Sequence, residues 1–594
     1  MLTHSFPNEL YSLLWSNLST RDQYTCLLVC RSWYLALHHL LYREVIIHRR
    51  TRFTQFCRAL QSSSSPGHYV RKLQIEHGRI TRDEVNNVLR LCPLLENMDL
   101  PFLVDEGNSM VLSPQPHHRL QQLKVQACPA SLNLVCTLSL THLSLRYSGQ
   151  ADERLESLLQ TLSRTPNLVL LSISDFKSWI TIQYMETIHS LLPHLKTLEF
   201  LNFNHSLAYQ PLSHPTIVPC QLQTFRCRGG AIYQPAWLLY VAFKYPDLVT
   251  LDLEANVDVH LLDRHEVEIG SIDTNKEAML AIAQRCRNLQ VARWINFAID
   301  DKLIDNLPLH VHDLGFGHFD GLPSVIFHRV ARLRLTSLML QGTATIDVDE
   351  LAIALSQCDS LRKLTIDCGY PYVGIRRGMQ TASTMDIVHA ALSHCHNIDE
   401  MSLRIAYSDK AEYLPSSQTK FHALKRLVLV ENSLDETLFK YLARYCPNLS
   451  EMCLWQCCRK KSHDGIEFVI HMPQHALSVD IQNFYEHSLK WSRRCKLFGL
   501  TRPEGTRWYY MCESREVEVR KYLENCHYEI AKEIRVLYPE ETLELGQLLG
   551  YEHGKHLLER ATYKPGWQHH LSSGIAHIYC KAINSLTINK KRVI

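Results

Sequence analysis

Apolar residues recur at a fixed spacing along most of this chain, and residues 423–455 show the repeating unit. Leu424, Leu427 and Leu429 form an L-x-x-L-x-L pattern. It predicts a short strand with one buried face, because successive side chains of a strand point to opposite sides. Apolar residues at helical spacing follow, and the pattern returns at Leu449. The predicted unit is strand, turn, helix and turn, which buries its apolar side only when copies stack.

The pattern occurs about fifteen times over most of the chain, mostly 25 to 28 residues apart. Two intervals, 248 to 289 and 361 to 398, are longer and indicate insertions. We therefore predict a repeat protein with a parallel sheet and a helical layer. The copies begin at Val70, Leu95, Leu120, Leu140, Leu168, Leu195, Leu222, Leu248, Leu289, Val311, Leu335, Leu361, Ile398, Leu424 and Leu449.

Several predicted helices end in a Cys-Pro or Pro-Asn corner directly before the next strand, and a small Cys or Asn follows some of the strands. Corner residues are Cys92, Pro93, Pro166, Asn167, Pro246, Cys286, Cys446 and Pro447. Residues after the strands are Cys128, Asn256, Asn432 and Cys457. In these features the chain resembles the cysteine-containing leucine-rich repeats. The resemblance implies an α/β solenoid, a horseshoe with its parallel sheet on the concave side and its helices on the convex side.

Composition excludes several classes of protein. The chain has 594 residues, of which 46% are hydrophobic, which is ample for a core and too apolar for a disordered chain. With 63 basic and 60 acidic residues the net charge is +3, which does not indicate a nucleic-acid partner. We expect no membrane partner and a cytoplasmic or nuclear location, because neither a signal peptide nor an apolar stretch of spanning length is evident. The 20 cysteines, without a C-x-x-C pair, are interpreted as reduced core thiols.

Residues 6–42 have a different, helical pattern. Leu10, Leu14 and Leu18 lie on one face of a first predicted helix. A second is predicted through Val29 and Trp33, and a third over residues 36–41. So short a helical segment buries little surface alone and needs a neighbour.

This segment resembles the F-box motif. The matching residues are Phe6-Pro7-Asn8-Glu9-Leu10, then Leu14-Trp15-Ser16-Asn17-Leu18, then Val29-Cys30-Arg31-Ser32-Trp33, with a Leu40-to-Val45 ending similar to fungal versions. The resemblance implies docking on a Skp-type adaptor, and through it on cullin and RING subunits. The implied contacts are Pro7, Leu10, Leu14, Trp15, Leu18, Val29, Cys30 and Trp33. The alternative is an ordinary helical cap, with the same residues buried against the first repeat.

Four regions result. We predict an F-box over 1–48, a connecting helix and N-terminal cap over 49–69, leucine-rich repeats over 70–475, and a C-terminal cap or small α/β module over 476–594. In the last region, residues 517–537 have an amphipathic pattern that predicts a helix.

Residues between the strand leucines should face the open side of the sheet. Trp and Arg dominate interface energetics, so Arg404, Arg426 and Trp455 are the predicted target-binding residues. Insertions over 255–275 and 369–384, and a polar one over 406–421, are further candidates, although the sequence favours tolerated surface loops as their interpretation.

No catalytic chemistry is evident. P-loop, dinucleotide-binding, H-E-x-x-H and G-x-S-x-G motifs are absent. His394-Cys395-His396 has the residue types of a metal site but occupies a repeat corner, so neither a metal nor another cofactor is predicted.

The sequence thus favours a non-catalytic substrate-recognition subunit of a Skp–cullin–F-box ubiquitin ligase, with an unidentified target protein on the repeats. Binding of this kind would act by raising effective concentration. The alternatives are a leucine-rich-repeat interaction scaffold without a ubiquitylation role and, more remotely, an enzyme housed after residue 475.

The F-box resemblance gives one direct prediction. Replacing Pro7 and Trp33 together by alanine should abolish capture by a Skp-type adaptor, because both positions match adaptor contacts, while the repeats stay folded. A pull-down combined with thermal melting measures both. Undiminished capture would remove the adaptor assignment.

Overall fold

A computed structural model describes most of the chain, in segments separated by gaps. The described residues are 8–16, 18, 20–61, 66–76, 78–104, 119–135, 138–147, 155–176, 180–203, 217–229, 232, 234–254, 272–295, 297, 299, 301–317, 330–341, 348–368, 383–405, 421–459, 467–485, 495–513, 532–550, 575–589 and 591–593. The chain divides into two compact units, residues 1–289 and 290–594.

The first unit is built on a sheet of parallel strands that pair in chain order. Its strands are Glu44–Ile47, Lys72–Ile75, Asn97–Leu100, Gln122–Gln126, His142–Arg146, Leu170–Ser174, Thr197–Phe203, Thr224–Gly229 and Thr250–Glu254. A second, two-stranded parallel sheet joins Arg79–Thr81 to Phe102–Val104.

The second unit repeats this arrangement and then departs from it. Its parallel strands, again in chain order, are Val291–Ile295, Asp313–Gly317, Ser337–Gln341, Lys363–Cys368, Glu400–Ile405, Arg426–Val430, Glu451–Trp455 and Glu467–Gln482. Ser433–Leu434 and Cys458–Arg459 form a short parallel pair.

Helices connect the strands in both units. In the first they are Asn8–Ser16, Thr20–Val29, Arg31–Arg43, Arg50–Leu60, Arg82–Leu91, Pro129–Val135, Leu155–Ser163, Ile182–Leu191, Pro235–Lys244 and Ile272–Arg285, with a 3₁₀ turn at Pro66–Tyr69. In the second they are Asp301–Asn306, Val348–Leu355, Thr384–His394, Glu436–Tyr445 and Pro539–Gly550, with a 3₁₀ turn at Ala331–Leu333.

Every strand predicted from the repeated pattern is present, and each begins two residues after the first apolar position of its copy. The strand Arg426–Val430 illustrates why. Leu427 and Leu429 are fully buried, whereas Arg426 and Val430 are half-exposed on the other face, where Val428 between them is buried at the centre of the strand. Alternation of this kind in successive strands leaves one sheet face for the core and one open. Each unit is therefore an α/β solenoid, as predicted.

Asn and Cys side chains that follow some of the strands link neighbouring repeats. Asn432 is fully buried and its Nδ2 donates to the carbonyl of Leu403 at 2.7 Å and to that of Val430 at 3.0 Å. Its Oδ1 accepts from the amide of Ile405 at 3.2 Å and from the Thr384 hydroxyl at 3.2 Å. One amide side chain thus satisfies polar groups on two neighbouring repeats.

Two cysteines also link neighbouring repeats, each through its single thiol donor. Cys457 Sγ lies 3.2 Å from the carbonyl oxygen of Leu429, and Cys128 Sγ lies 3.2 Å from that of Leu103. Asn256, the fourth predicted position, lies outside the described residues.

Corner cysteines are buried, as predicted from their position. Burial raises the pKa of Cys92 and Cys446 to about 12, so both remain thiols at neutral pH. Cys395 is likewise a corner residue: it caps the helix Thr384–His394 and its Sγ lies 3.1 Å from the carbonyl oxygen of Leu355. The corner interpretation of His394-Cys395-His396 is therefore confirmed.

The N-terminal helices continue directly into the first sheet. The helix Arg31–Arg43 is followed at once by Glu44–Ile47, which pairs with Lys72–Ile75. His38, on that helix, stacks on Tyr34 and meets Tyr69 edge-on at 5.1 Å. The helices are thus joined to the repeats by backbone pairing and by aromatic contacts.

One helix boundary differs from the prediction. Trp33 was expected on the second helix, yet that helix ends at Val29 and Trp33 belongs to the third. Cys30 separates them because its backbone is extended, with φ −164° and ψ 167°. One extended residue does not change the spacing of the apolar residues, so the sequence pattern could not predict this helix boundary.

After the last repeat strand the topology changes. Strand pairing of the repeat type continues to Gln482, past residue 475 where the sequence suggested an end. Next to Glu467–Gln482 lies Ile575–Ile588, then Leu497–Arg502, both parallel. The remaining strands of this region are antiparallel: Gly505–Glu513, Lys532–Val536 and the short Lys591–Arg592.

The helix predicted over 517–537 is wrong where it can be compared, because Lys532–Val536 is a strand. β-branched Ile534 and Val536 suit a strand, and pairing with Gly505–Glu513 supplies the backbone hydrogen bonds. The helix Pro539–Gly550 instead covers this sheet through Leu545, which packs with Leu497, Trp508, Tyr510, Leu537 and Ile575.

Removing the Asn432 side chain should destabilise the second unit. Asn432→Ala leaves buried backbone groups without partners, so we expect a loss on the order of 2–4 kcal/mol in the free energy of unfolding. Urea unfolding measures it, with Asn397→Ala as the control, because Asn397 is exposed and makes one backbone bond. Equal losses for the two variants would contradict the role assigned to Asn432.

A buried histidine should make the first unit sensitive to acid. His189 Nε2 lies 2.8 Å from the hydroxyl of Tyr245. Burial lowers the pKa of His189 to about 4, and the nearby Lys244 ammonium adds to the effect while Glu186 opposes it. The folded chain therefore holds this imidazole neutral, whereas the unfolded chain protonates it at its ordinary pKa of 6.5.

Because the unfolded state binds the extra proton, the stabilising effect is complete above pH 6.5 and decreases as the pH falls toward 4. At pH 4 the loss of folding stability, relative to pH 7, should reach about 3 kcal/mol. His189→Gln, which keeps a hydrogen-bonding side chain, should flatten this part of the profile. Parallel stability curves for wild type and His189→Gln between pH 7 and 4 would contradict the account.

Candidate functional site

The three N-terminal helices enclose a very small core. Tyr11, Leu37 and Leu40 are buried, and Trp33 packs edge-on against Tyr11 with ring centroids 6.3 Å apart. Trp33 is therefore partly a core residue of this segment. Replacing it loosens the helices as well as altering a contact surface.

Most of the predicted adaptor contacts that the structure describes are accessible. Leu10, Leu14 and Val29 are 47%, 40% and 61% exposed, and Cys30 is also exposed. Half-buried positions are Trp15, Leu18 and Trp33, and Pro7 lies outside the described residues. The helical-cap alternative requires these residues to be buried against the first repeat. Those that the structure describes are instead exposed or half-buried.

Further apolar side chains on these helices are exposed and were not among the predicted adaptor contacts. They are Leu13, Tyr24, Leu28, Tyr34 and Leu35, and Leu28 is 85% exposed. Leu10, Leu13 and Leu14 share one side of their helix, as residues three and four apart do. A soluble protein leaves large apolar side chains in such density mainly where a partner covers them. The signal available in the sequence was the excess of leucines over what so small a core can bury.

On the open face of the second unit, charges alternate across adjacent strands. Lys363 Nζ lies 3.0 Å from Glu400, Arg426 lies 3.3 Å from the same carboxylate, and the other side of Arg426 lies 3.1 Å from Glu451. These residues are opposite each other in register. The result is a row of charges of alternating sign across four strands.

Arg404 and Trp455 lie in another row, near the strand ends. Arg404 is held 2.7 Å from Glu431 and 3.8 Å from Asp367. Trp455 is half-buried and its indole N–H donates to Asp480 at 2.8 Å. The register places Arg404 and Trp455 two strands apart, roughly 10 Å, whereas Arg426 lies four residues away along the strands, about 13 Å. The predicted target-binding residues therefore occupy one face but form no single cluster.

The open face of the first unit is also laced with ion pairs, among them Lys124 with Asp99 at 3.1 Å and Arg226 with Glu199 at 2.8 Å. A depression of about 270 Å³ lies between the strands Lys72–Ile75 and Leu170–Ser174. Its lining combines polar side chains, such as Gln74 and Lys124, with apolar ones, such as Met98 and Leu123.

Within the described residues no group of three or more His, Cys, Asp or Glu side chains could hold a metal ion. No helix in that part of the chain is both long and apolar enough to cross a lipid bilayer. Most of the insertions at 255–275, 369–384 and 406–421 lies outside it.

Comparison with known proteins gives matches of fold only. No family model matches the chain, and no curated protein does. Among solved structures, the chain is similar to Toll in its complex with Spatzle from Drosophila, at 14% identity and a TM-score of 0.29, covering 69% of this chain and 51% of that one. TLR13 bound to ssRNA13 matches at 12% identity and a TM-score of 0.29, covering 70% and 79%.

A third match is the plant peptide hormone receptor RGFR1 with RGF2, at 11% identity and a TM-score of 0.22, covering 77% of this chain and 66% of that one. The chain thus spans about half the length of the Toll chain that it matches. Strand order and register, described above, identify the solenoid fold independently of these matches.

Proposed function

We propose that this chain is a protein-interaction scaffold whose repeats bind another protein on the open face of the sheet. The observation that carries the proposal is that face itself. In several strands the alternate side chains are exposed or half-exposed and mostly polar or charged, while their neighbours are buried. Parallel strands stacked at about 4.8 Å offer a broad rigid surface, which suits a protein better than a small molecule.

Placing bulky charges on this face tests the scaffold. Ser144→Arg and Ser402→Arg alter half-exposed open-face positions, one in each unit, without touching the core. We expect the pair to lose partners captured by cross-linking in cells, because each new side chain stands where a partner would rest.

The control places the same charge elsewhere. Gln183→Arg with Gln357→Arg changes two exposed positions on the helical side of the repeats. This variant should capture the same partners as wild type. Identical capture by all three proteins would contradict the scaffold.

A second and more specific function is favoured by the N-terminal helices. We infer that they dock on a Skp-type adaptor and so make the chain the substrate-recognition subunit of a Skp–cullin–F-box ligase. Two observations support this: the resemblance of residues 6–45 to the F-box, and the exposure of Leu10, Leu14 and Val29. An exposed apolar helical surface of this kind is suited to bind in a hydrophobic groove of a partner.

Exposed positions give a sharper test than Trp33. Leu14→Ser with Leu28→Ser removes two exposed side chains without opening the Tyr11 core, so we expect at least about tenfold weaker binding to a purified Skp-type adaptor. Titration calorimetry measures the affinity, with unchanged circular dichroism as the folding check. Leu309→Ser with Val218→Ser, at 69% and 68% exposure on the repeats, is the matched control. Equal affinity for both double variants would contradict adaptor docking by these helices.

A further inference from the structure

Among the residues that the structure describes, the open face of the second unit carries more negative than positive charge between the strands Lys363–Cys368 and Glu467–Gln482. We name its charged residues the acidic strip. They are the cations Lys363, Arg404 and Arg426 and the carboxylates Asp367, Glu400, Glu431, Glu451 and Asp480. With three cations and five carboxylates, the strip has a net charge of −2, although the chain as a whole is at +3.

Both arginines of the strip are held between two carboxylates. Arg404 lies between Asp367 and Glu431, and Arg426 lies between Glu400 and Glu451. An incoming anion would have to displace these carboxylates and would meet their repulsion, since charges on one face act together over several ångströms. The arginines therefore do not form an anion site, even though they are the most basic groups on the face.

Asp480 is the carboxylate of the strip that no cation neutralises among the described residues. One of its oxygens accepts the Trp455 indole N–H at 2.8 Å and the Gln482 amide at 2.9 Å. The other oxygen is buried and has no hydrogen-bond partner. Both of the donors are neutral, so no ion pair in the described part of the chain compensates this carboxylate beside the ring of Trp455.

Glu451 lies on the same strand as Trp455, four residues and about 13 Å away. Its side chain is 45% exposed, and Arg426 contacts it from one side. The carboxylate beside the indole is that of Asp480, and an indole ring beside a carboxylate attracts a cationic side chain in two ways, through the ring quadrupole and through charge. Strand position alone brings these groups together, because Trp455 pairs with Gln482 and Cys453 with Asp480.

We propose that the acidic strip binds a basic segment of a partner protein, with a Lys or Arg side chain seated at Trp455 and Asp480. The segment runs along the open face, where the carboxylates of the strip supply charge complementarity. This inference rests on the proposed scaffold function and specifies the chemistry of the target. It does not depend on adaptor docking, which uses the other end of the chain.

Fluorescence anisotropy with a labelled peptide of alternating Lys and Ser residues tests the inference on the full-length protein. A Glu/Ser peptide of the same length is the opposite-charge probe. The Lys/Ser peptide should bind wild type, more weakly as salt is raised, and the Glu/Ser peptide should not. No binding of the Lys/Ser peptide, or equal binding of the two peptides, would overturn the inference.

Three variants locate the binding. Asp480→Asn keeps an acceptor for Trp455 and removes the charge, so we expect about fivefold weaker binding of the Lys/Ser peptide. Trp455→Leu removes the ring at constant charge and should weaken it about threefold. Asp99→Asn makes the same charge change on the first unit and should alter the affinity by less than about twofold. Melting temperatures verify folding of each variant.

Equal weakening by Asp480→Asn and Asp99→Asn would overturn the proposed location, since net charge alone would then explain the binding. Failure of the scaffold is recognised separately. If the scaffold function is wrong, the double variant Ser144→Arg with Ser402→Arg will capture the same cross-linked partners as wild type. The peptide titration reports on the acidic strip alone.

Discussion

Stacking is the constraint on which the rest of this structure depends. A single strand–helix repeat has an apolar side that it cannot bury by itself, so each repeat is stable only against its neighbours. The buried leucines supply the driving force, and residues such as Asn432 and Cys457 fix the distance between one repeat and the next by bonding to backbone carbonyls. Once strands are stacked in register, the side chains between the leucines must form rows on the open face.

Those rows decide what the open face can bind. Cross-strand pairs such as Lys363 with Glu400 and Arg404 with Glu431 tie adjacent repeats together, and exposed pairs of this kind add little stability individually. Their larger effect is on recognition, because an arginine already held by carboxylates attracts anions poorly. A partner would therefore interact mainly with carboxylates that no cation pairs with among the described residues, such as Asp480 beside Trp455.

Much of the fold could be predicted from the sequence, for physical reasons. The L-x-x-L-x-L pattern marks a half-buried strand, and its recurrence gives the register of all the predicted strands, since stacking demands that equivalent positions align. The corner cysteines and Asn432 were also predictable, because their roles follow from position in the repeat. The break at Cys30 was not, since one extended residue does not disturb apolar spacing.

The strand at Lys532–Val536 was also missed, since short apolar runs fit a helix or a strand until a neighbouring strand is known. The site was predicted less well than the fold. Leu10 and Val29 were named as candidate contacts and are exposed, whereas Leu28, the most exposed of these three, was not named. Arg404 and Arg426 were chosen by residue type, whereas their carboxylate neighbours come from strands far apart in sequence. These ion pairs depend on the register of neighbouring strands, which cannot be read from residue types alone.

The central claim is that stacked repeats carry a separate, accessible helical surface at the N-terminal helices. Hydrogen–deuterium exchange with and without a purified Skp-type adaptor tests this claim most directly. The account predicts slow exchange in the repeat strands in both states, and new protection on adaptor addition confined to residues 8–43. Protection spread over the repeat strands, or no new protection in these helices, would contradict it.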